Sequence, residues 1–204
     1  MRNAAKAVPL LRQSVFYRKP GLYIFMILDA EKTIAVAVDY QERLVPAIRN
    51  KEELIENSVR LMTGLKILDI PTYITQQYTK GLGMTVKEIT DAIGSTDYVE
   101  KISFGAATEL IKVIPSPEEK PYVIVCGIES HICVLQTLLG LKEAGYTPVL
   151  VTDCAGSRRE MDFEIALERA KQEGIVLATY ESVLFELLHE AGTDIFRQIS
   201  RLVK

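Results

Sequence analysis

The stretch PYVIVCGIESHICVLQTLLGLKEAGYTPVLVTD, residues 121–153, decides the fold. PYVIVCG (121–127) is a short apolar run rich in β-branched residues, bounded by Pro121 and Gly127, and reads as a strand buried on both faces. SHICVLQTLLGLKEAG (130–145) reads as a helix that stops at Gly145. TPVLVTD (147–153) is a second buried strand. A strand, a helix and a strand in that order make a βαβ unit, and such units build parallel sheets.

The same alternation extends in both directions. Upstream, TIAVAVD (33–39), PTYITQQ (71–77) and YVEKI (98–102) read as strands. KEELIENSVRLMTGLKIL (51–68) places Leu54, Ile55, Val59, Leu61, Met62 and Leu65 at helical spacings. TVKEITDAIG (85–94) is a short helix closed by Gly94, and GAATELIKVI (105–114) reads as helical. Downstream come a helix over 160–173, a sixth strand at IVLATY (175–180), a helix over 180–190 and a weakly helical tail over 194–203. The pattern predicts a three-layer α/β/α domain with a mainly parallel sheet of about six strands.

At about 100–200 residues per domain, 204 residues make one domain with a short appendage. The expected division is 1–28 as a basic extension and 29–204 as the domain. Residues 1–28 hold five basic side chains (Arg2, Lys6, Arg12, Arg18, Lys19) and no acid. Their composition is that of a mitochondrial transit segment, or of a plain basic tail, or of an over-extended start with Met26 as initiator. Without those five, the totals of 24 basic and 27 acidic residues fall to 19 against 27, a net charge of −8 for the body. That field opposes phosphate-backbone binding, so nucleic acid is not an expected partner. No apolar run approaches the roughly 20 residues that span a bilayer. Two His and three Cys without CxxC spacing argue against a metal centre and a disulfide framework, and fit a reducing, cytoplasmic setting. No GxGxxG or Walker-type loop is present, so no nucleotide cofactor is expected.

In open parallel sheets, ligands sit beyond the carboxyl ends of the strands. The residues there are Asp39 and Gln41, Gln76 and Gln77, Lys101, Gly127 to Cys133, and Asp153 onward. Cys133 falls in the first turn of a helix, where unpaired N–H groups lower a thiol's pKa. Asp39 and Lys101 end two other strands. A carboxylate, an ammonium and a thiol at three strand ends are able to converge, with Asp39 taking the thiol proton. Charge that is merely solvated is the competing reading of Asp39 and Lys101. Cys126 and Cys154 read as small buried hydrophobes.

The segments VDYQERL, TQQYTKGLG, EKISFG, VCGIESHICVLQT and GYTPVLVTDCAGSR, in this order over about 33–204, resemble the isochorismatase-like cysteine hydrolases, and most of all their isochorismatase domain-containing subgroup. The resemblance implies a catalytic triad of Asp39, Lys101 and Cys133. It implies a non-proline cis peptide between Ile128 and Glu129, with the N–H groups of Glu129 and Cys133 aimed at a developing oxyanion. Gln41, Gln76 and Phe104 would line the substrate pocket. Nicotinamidases of the family hold a metal with an Asp and two His. The matching stretch TQQYTKGLG has neither residue, so no metal or other cofactor is expected. Isochorismate itself is also disfavoured, because those hydrolases cleave a vinyl ether without the thiol.

The expected activity is cleavage of a C–N bond in a small amide or related acyl compound through a thioester, by a homo-oligomer. The rivals are a catalytically silent oligomeric scaffold with the same fold and a ribonuclease of the mitochondrial-associated type. Four lesser candidates carry bland alternatives. His131 could touch substrate or simply cap its helix. Glu129 contributes its backbone rather than its carboxylate. Arg158 and Arg159 could bind an anionic substrate, sit in a solvated turn or make a subunit contact. The loop holding Tyr78, Lys80, Gly81 and Gly83 could cover the site or merely connect two elements.

Overall fold

The computed structural model describes residues 28–204. The expectations for the basic segment lie outside the described residues, Leu28 excepted. Six strands form the sheet: β1 (Thr33–Val38), β2 (Thr72–Gln77), β3 (Tyr98–Lys101), β4 (Tyr122–Ile128), β5 (Thr147–Gly156) and β6 (Val176–Ala178). The helices are α1 (Lys51–Ile67), α2 (Thr79–Leu82), α3 (Lys87–Ile93), α4 (Ala107–Leu110), α5 (Leu135–Glu143), α6 (Glu160–Gln172), α7 (Tyr180–Leu188) and α8 (Asp194–Leu202).

The strand order is β3-β2-β1-β4-β5-β6, and every neighbouring pair is parallel. The chain moves outward from β1 to one edge, then returns to the centre and moves outward to the other. The order therefore reverses between β1 and β4, where the crevice of an open parallel sheet forms.

β1 shows why the layers are three. All six of its residues are buried. Because side chains alternate along a strand, Ala35 and Ala37 face one core while Ile34, Val36 and Val38 face the other. The first core packs α1, α7 and α8 against the sheet through Leu54, Leu61, Met62, Leu65, Val183, Leu184, Leu187 and Ile199. The second packs α4, α5 and α6 through Leu110, Leu138, Leu141 and Ala170. In α1 the buried residues Leu54, Ser58, Leu61, Met62 and Leu65 follow the helical period, with Glu52 and Glu53 in the first turn and Lys66 in the last. Gly94 ends α3 with φ 82°, as the sequence requires.

Three elements depart from the sequence reading. The stretch over 105–114 is helical only from Ala107 to Leu110 and continues as turns. Pro115 disfavours helical geometry at Ile114, and Ile111 and Val113 are β-branched and exposed, so neither propensity nor burial prolongs the helix. β5 runs three residues past Asp153 to Gly156, with its register to β4 shifted between Val125 and Gly127, so Cys154 lies within the strand rather than after it. The helix after β4 opens with a π-helical turn, Ser130–Val134, before α5 begins. Such wide turns recur at functional sites.

Candidate active site

Asp39, Lys101 and Cys133 meet. Asp39 follows the last residue of β1 with φ 53°, a left-handed conformation that Asp tolerates. β1 and β4 are neighbours, with Val38 opposite Gly127, so Asp39 emerges beside the turn that carries Cys133. The approach is close: a Cβ on Gly127 would lie 2.1 Å from the Val38 carbonyl oxygen, and φ there is 131°. Only glycine fits.

Lys101, the last residue of β3, extends its Nζ to 2.6 Å from Asp39 Oδ2, and neither side chain is exposed. The ammonium also donates to the Phe104 carbonyl at 2.8 Å and the Ser103 carbonyl at 3.3 Å. The other carboxylate oxygen, Asp39 Oδ1, accepts from Thr75 Oγ1 at 2.7 Å. A buried ion pair is favourable only when its remaining bonding capacity is satisfied, and these contacts satisfy it.

The Cys133 thiol faces this pair. Its Sγ donates to Gln77 Oε1 at 3.2 Å, and the same oxygen lies 3.5 Å from Lys101 Nζ. Cys133 is only 5 % exposed. Burial, followed by the charge of Asp39, pushes its pKa from an ordinary value near 9 up to about 12, while Lys101 and the Glu129 N–H pull in the other direction. This corrects the expectation of a depressed thiol pKa from the helix terminus. Desolvation and an adjacent carboxylate outweigh the helix end, so the resting sulfur is protonated.

The Ile128–Glu129 peptide is cis. The Glu129 main chain favours the thiolate form of Cys133, and its carbonyl accepts from the N–H groups of Ile132 and Val134, on either side of that residue. The Glu129 carboxylate points elsewhere and is paired with Arg158.

The two neighbouring glutamines occupy opposite faces of β2. Gln76 is buried away from the sulfur: its Nε2 donates to Thr85 Oγ1 at 2.9 Å and its Oε1 accepts from Thr79 Oγ1 at 3.1 Å. Gln77 is the one that touches Cys133. Alternation along the strand is the signal that separates them, since Lys101 lies opposite Gln77 in the β2–β3 register. Gln41 is buried and anchors its surroundings, donating to the carbonyls of Gln77 at 3.0 Å and Gly83 at 2.7 Å and accepting from the Gln77 N–H at 2.8 Å. It holds Gln77 and the loop containing α2 in place. Phe104 is 53 % exposed, with its carbonyl bonded to Lys101, and Tyr78 and Ile102 are exposed as well. His131 is bonded through Nδ1 to Ser157 Oγ at 3.0 Å, and Arg159 is exposed.

Two cavities stand out, of about 230 and 610 Å³, and neither is lined by Asp39, Lys101 or Cys133. Among the described residues no group of three or more His, Cys, Asp or Glu is placed to hold a metal ion, and no helix is long and apolar enough to cross a membrane.

The isochorismatase domain model matches residues 33–182, which contain all of these groups. The chain belongs to the isochorismatase family. The Isochorismatase domain-containing protein 1 of Danio rerio is 35 % identical over 178 residues, 87 % of this chain, and the chain spans 62 % of that protein's length. The MAR1 ribonuclease of Caenorhabditis elegans is 30 % identical with a TM-score of 0.77, over 87 % of this chain and 92 % of that one. The YcaC gene product of Escherichia coli, described as an octameric hydrolase of unknown specificity, is 23 % identical with a TM-score of 0.77 over 88 % of each chain, and shares the fold. The three-layer architecture described above is thus the isochorismatase fold.

Proposed function

We propose that this isochorismatase-family protein is a cysteine hydrolase that cleaves a C–N bond of a small amide or related acyl compound. The observation that carries this reading is the Asp39 carboxylate, held by Lys101 at 2.6 Å, with Gln77 Oε1 placed between the Lys101 ammonium at 3.5 Å and the Cys133 thiol at 3.2 Å. A thiol kept protonated at rest needs a base close by. Asp39 takes the proton as the sulfur attacks the carbonyl carbon, so no free thiolate has to accumulate. The negative charge passes to the carbonyl oxygen, which the N–H groups of Glu129 and Cys133 receive. Asp39 returns the proton to the departing amine, leaving a thioester on Cys133. Water, deprotonated by Asp39, then releases the acid, and the sulfur regains its proton. Lys101 keeps Asp39 oriented throughout.

A screen of small amides, ureides and carbamates tests this reading, with Asp39→Asn, Lys101→Met and Cys133→Ala as controls. A productive substrate leaves an acyl mass on the wild type that is absent from the Cys133 variant. Turnover by Cys133→Ala at the wild-type rate would overturn it.

The likeness to a protein named as a ribonuclease gives a second reading. The net charge of −8 in the body speaks against it, because RNA binding draws on positive surface. RNA cleavage that survives loss of Cys133 would favour it. Self-association belongs to the first reading: exposed Ile102, Phe104, Ile111 and Val113 offer apolar surface for a second copy, and the related YcaC fold is octameric.

A further inference from the structure

We propose that Arg158 is a positioning residue of the active site, which fixes the Glu129 peptide N–H against the Cys133 sulfur by clamping the Glu129 carboxylate from the neighbouring strand end. The inference rests on the assignment of Cys133 as the nucleophile.

Glu129 carries two groups that face in different directions. Its main chain is tied to the turn carrying Cys133 through the Ile132 and Val134 N–H groups and favours the thiolate, and its side chain, 9 % exposed, runs to the end of β5. There Arg158 holds it with two groups at once. The Arg158 backbone N–H donates to Oε2 at 3.2 Å, and its guanidinium Nε lies 3.0 Å from both Oε1 and Oε2. The pairing of Gly127 with Ala155 and of Ile128 with Gly156 brings the two strand ends together, and Arg158 follows two residues later. A second stitch, His131 Nδ1 to Ser157 Oγ at 3.0 Å, ties the same two segments through the residue before Arg158. The carboxylate is nearly buried, so release from Arg158 would leave it unpaired and drive it to find water. Its own main chain would move with it. The Arg158 side chain is itself 59 % exposed, but its Nε edge is committed to the Glu129 carboxylate. Its sequence neighbour Arg159 is exposed and forms no ion pair among the described residues.

The test reads the pH midpoint of iodoacetamide alkylation at Cys133, extrapolated from rates measured in the intact protein below about pH 9, where the fold keeps its full stability, with mass spectrometry to assign the label. The Glu129 N–H favours the thiolate, so loosening that peptide raises the midpoint. Arg158→Lys keeps the charge but lacks the Nε fork, and an upward shift of about half a pH unit is expected. The double variant Glu129→Ala/Arg158→Ala leaves the local net charge unchanged, so an upward shift there reports lost positioning alone. Arg159→Ala removes a nearby charge outside the clamp and should leave the midpoint in place. A midpoint that moves in Arg158→Ala but stays fixed in Arg158→Lys and in the double variant would mean a bare charge effect and would overturn the proposal. So would three unshifted midpoints. If the alanine variants do not fold, Arg158→Lys alone decides. Label found elsewhere than Cys133 in the wild type would instead sink the nucleophile assignment, a separate outcome.

Discussion

Lys101 Nζ and Asp39 Oδ2 are 2.6 Å apart across two strands, with both side chains fully withdrawn from solvent. Removing one partner strands a buried charge, which typically costs about 3–5 kcal/mol. Lys101→Met should therefore lower unfolding stability by that order at pH 7. Asp39→Asn/Lys101→Met should be less destabilised than Lys101→Met alone, because no charge is left unpaired. Urea denaturation of the set checks both statements, and additive losses would refute the coupling.

The direction of the thiol's pKa gives opposite effects for the two charges. Asp39 raises it and Lys101 lowers it. Asp39→Asn should move the alkylation midpoint of Cys133 down from about 12, and Lys101→Met should move it higher still. Rates of iodoacetamide labelling between neutral and strongly alkaline pH measure this. Asp39→Asn should thus carry a more easily ionised sulfur and yet hydrolyse poorly, since it lacks the base.

The parity of β2 separates two adjacent glutamines. Gln77 accepts from the neutral thiol, so Gln77→Leu removes a bond that favours the protonated form and should lower the midpoint. Gln76→Leu breaks contacts with Thr85 and Thr79 on the other face and should leave it unchanged. Equal shifts in the two variants would contradict the geometry.

Alkaline pH should weaken the fold. Burial pushes the thiols of both Cys126 and Cys133 from near 9 up to about 12. A pKa raised on folding stabilises the protein fully below the unfolded value and ceases to do so as pH climbs through the folded one. Denaturation midpoints should accordingly decline from about pH 9 toward 12, and less steeply in Cys133→Ala. A pH-independent midpoint over that window would be incompatible with buried, neutral thiols.

Gly127→Ala should be among the most damaging single-methyl changes in the chain. The added carbon would meet the Val38 carbonyl, and φ 131° is hostile to any side chain. A loss of about 3 kcal/mol or more is expected, read as a fall in the thermal midpoint, together with reduced labelling at Cys133.

The sequence was informative where period and chemistry coincide. β1 is apolar on both faces and runs into Asp39, and a carboxylate behind five apolar residues points to the strand end as the place to look. The π-helical turn carrying Cys133 follows a strand bounded by glycine, so its place at the rim was equally legible. Properties that depend on packing were not. Whether Gln76 or Gln77 turns to the sulfur depends on the register of β2 with β3, and no local pattern fixes that register. The thiol's upward pKa arises from burial by elements remote in sequence, whereas the helix end that would lower it is local and easily read. The same holds for Arg158, whose partner Glu129 lies 29 residues away.

The reversal of strand order between β1 and β4 also partitions the chemistry along the chain. Asp39 and Lys101 precede the surface turn over 115–121, and Cys133 follows it. A polypeptide severed in that turn yields one fragment with the base and its cation and another with the sulfur, each inert alone. Mixing them should regenerate reactivity only as the two half-sheets zip together along their shared central seam.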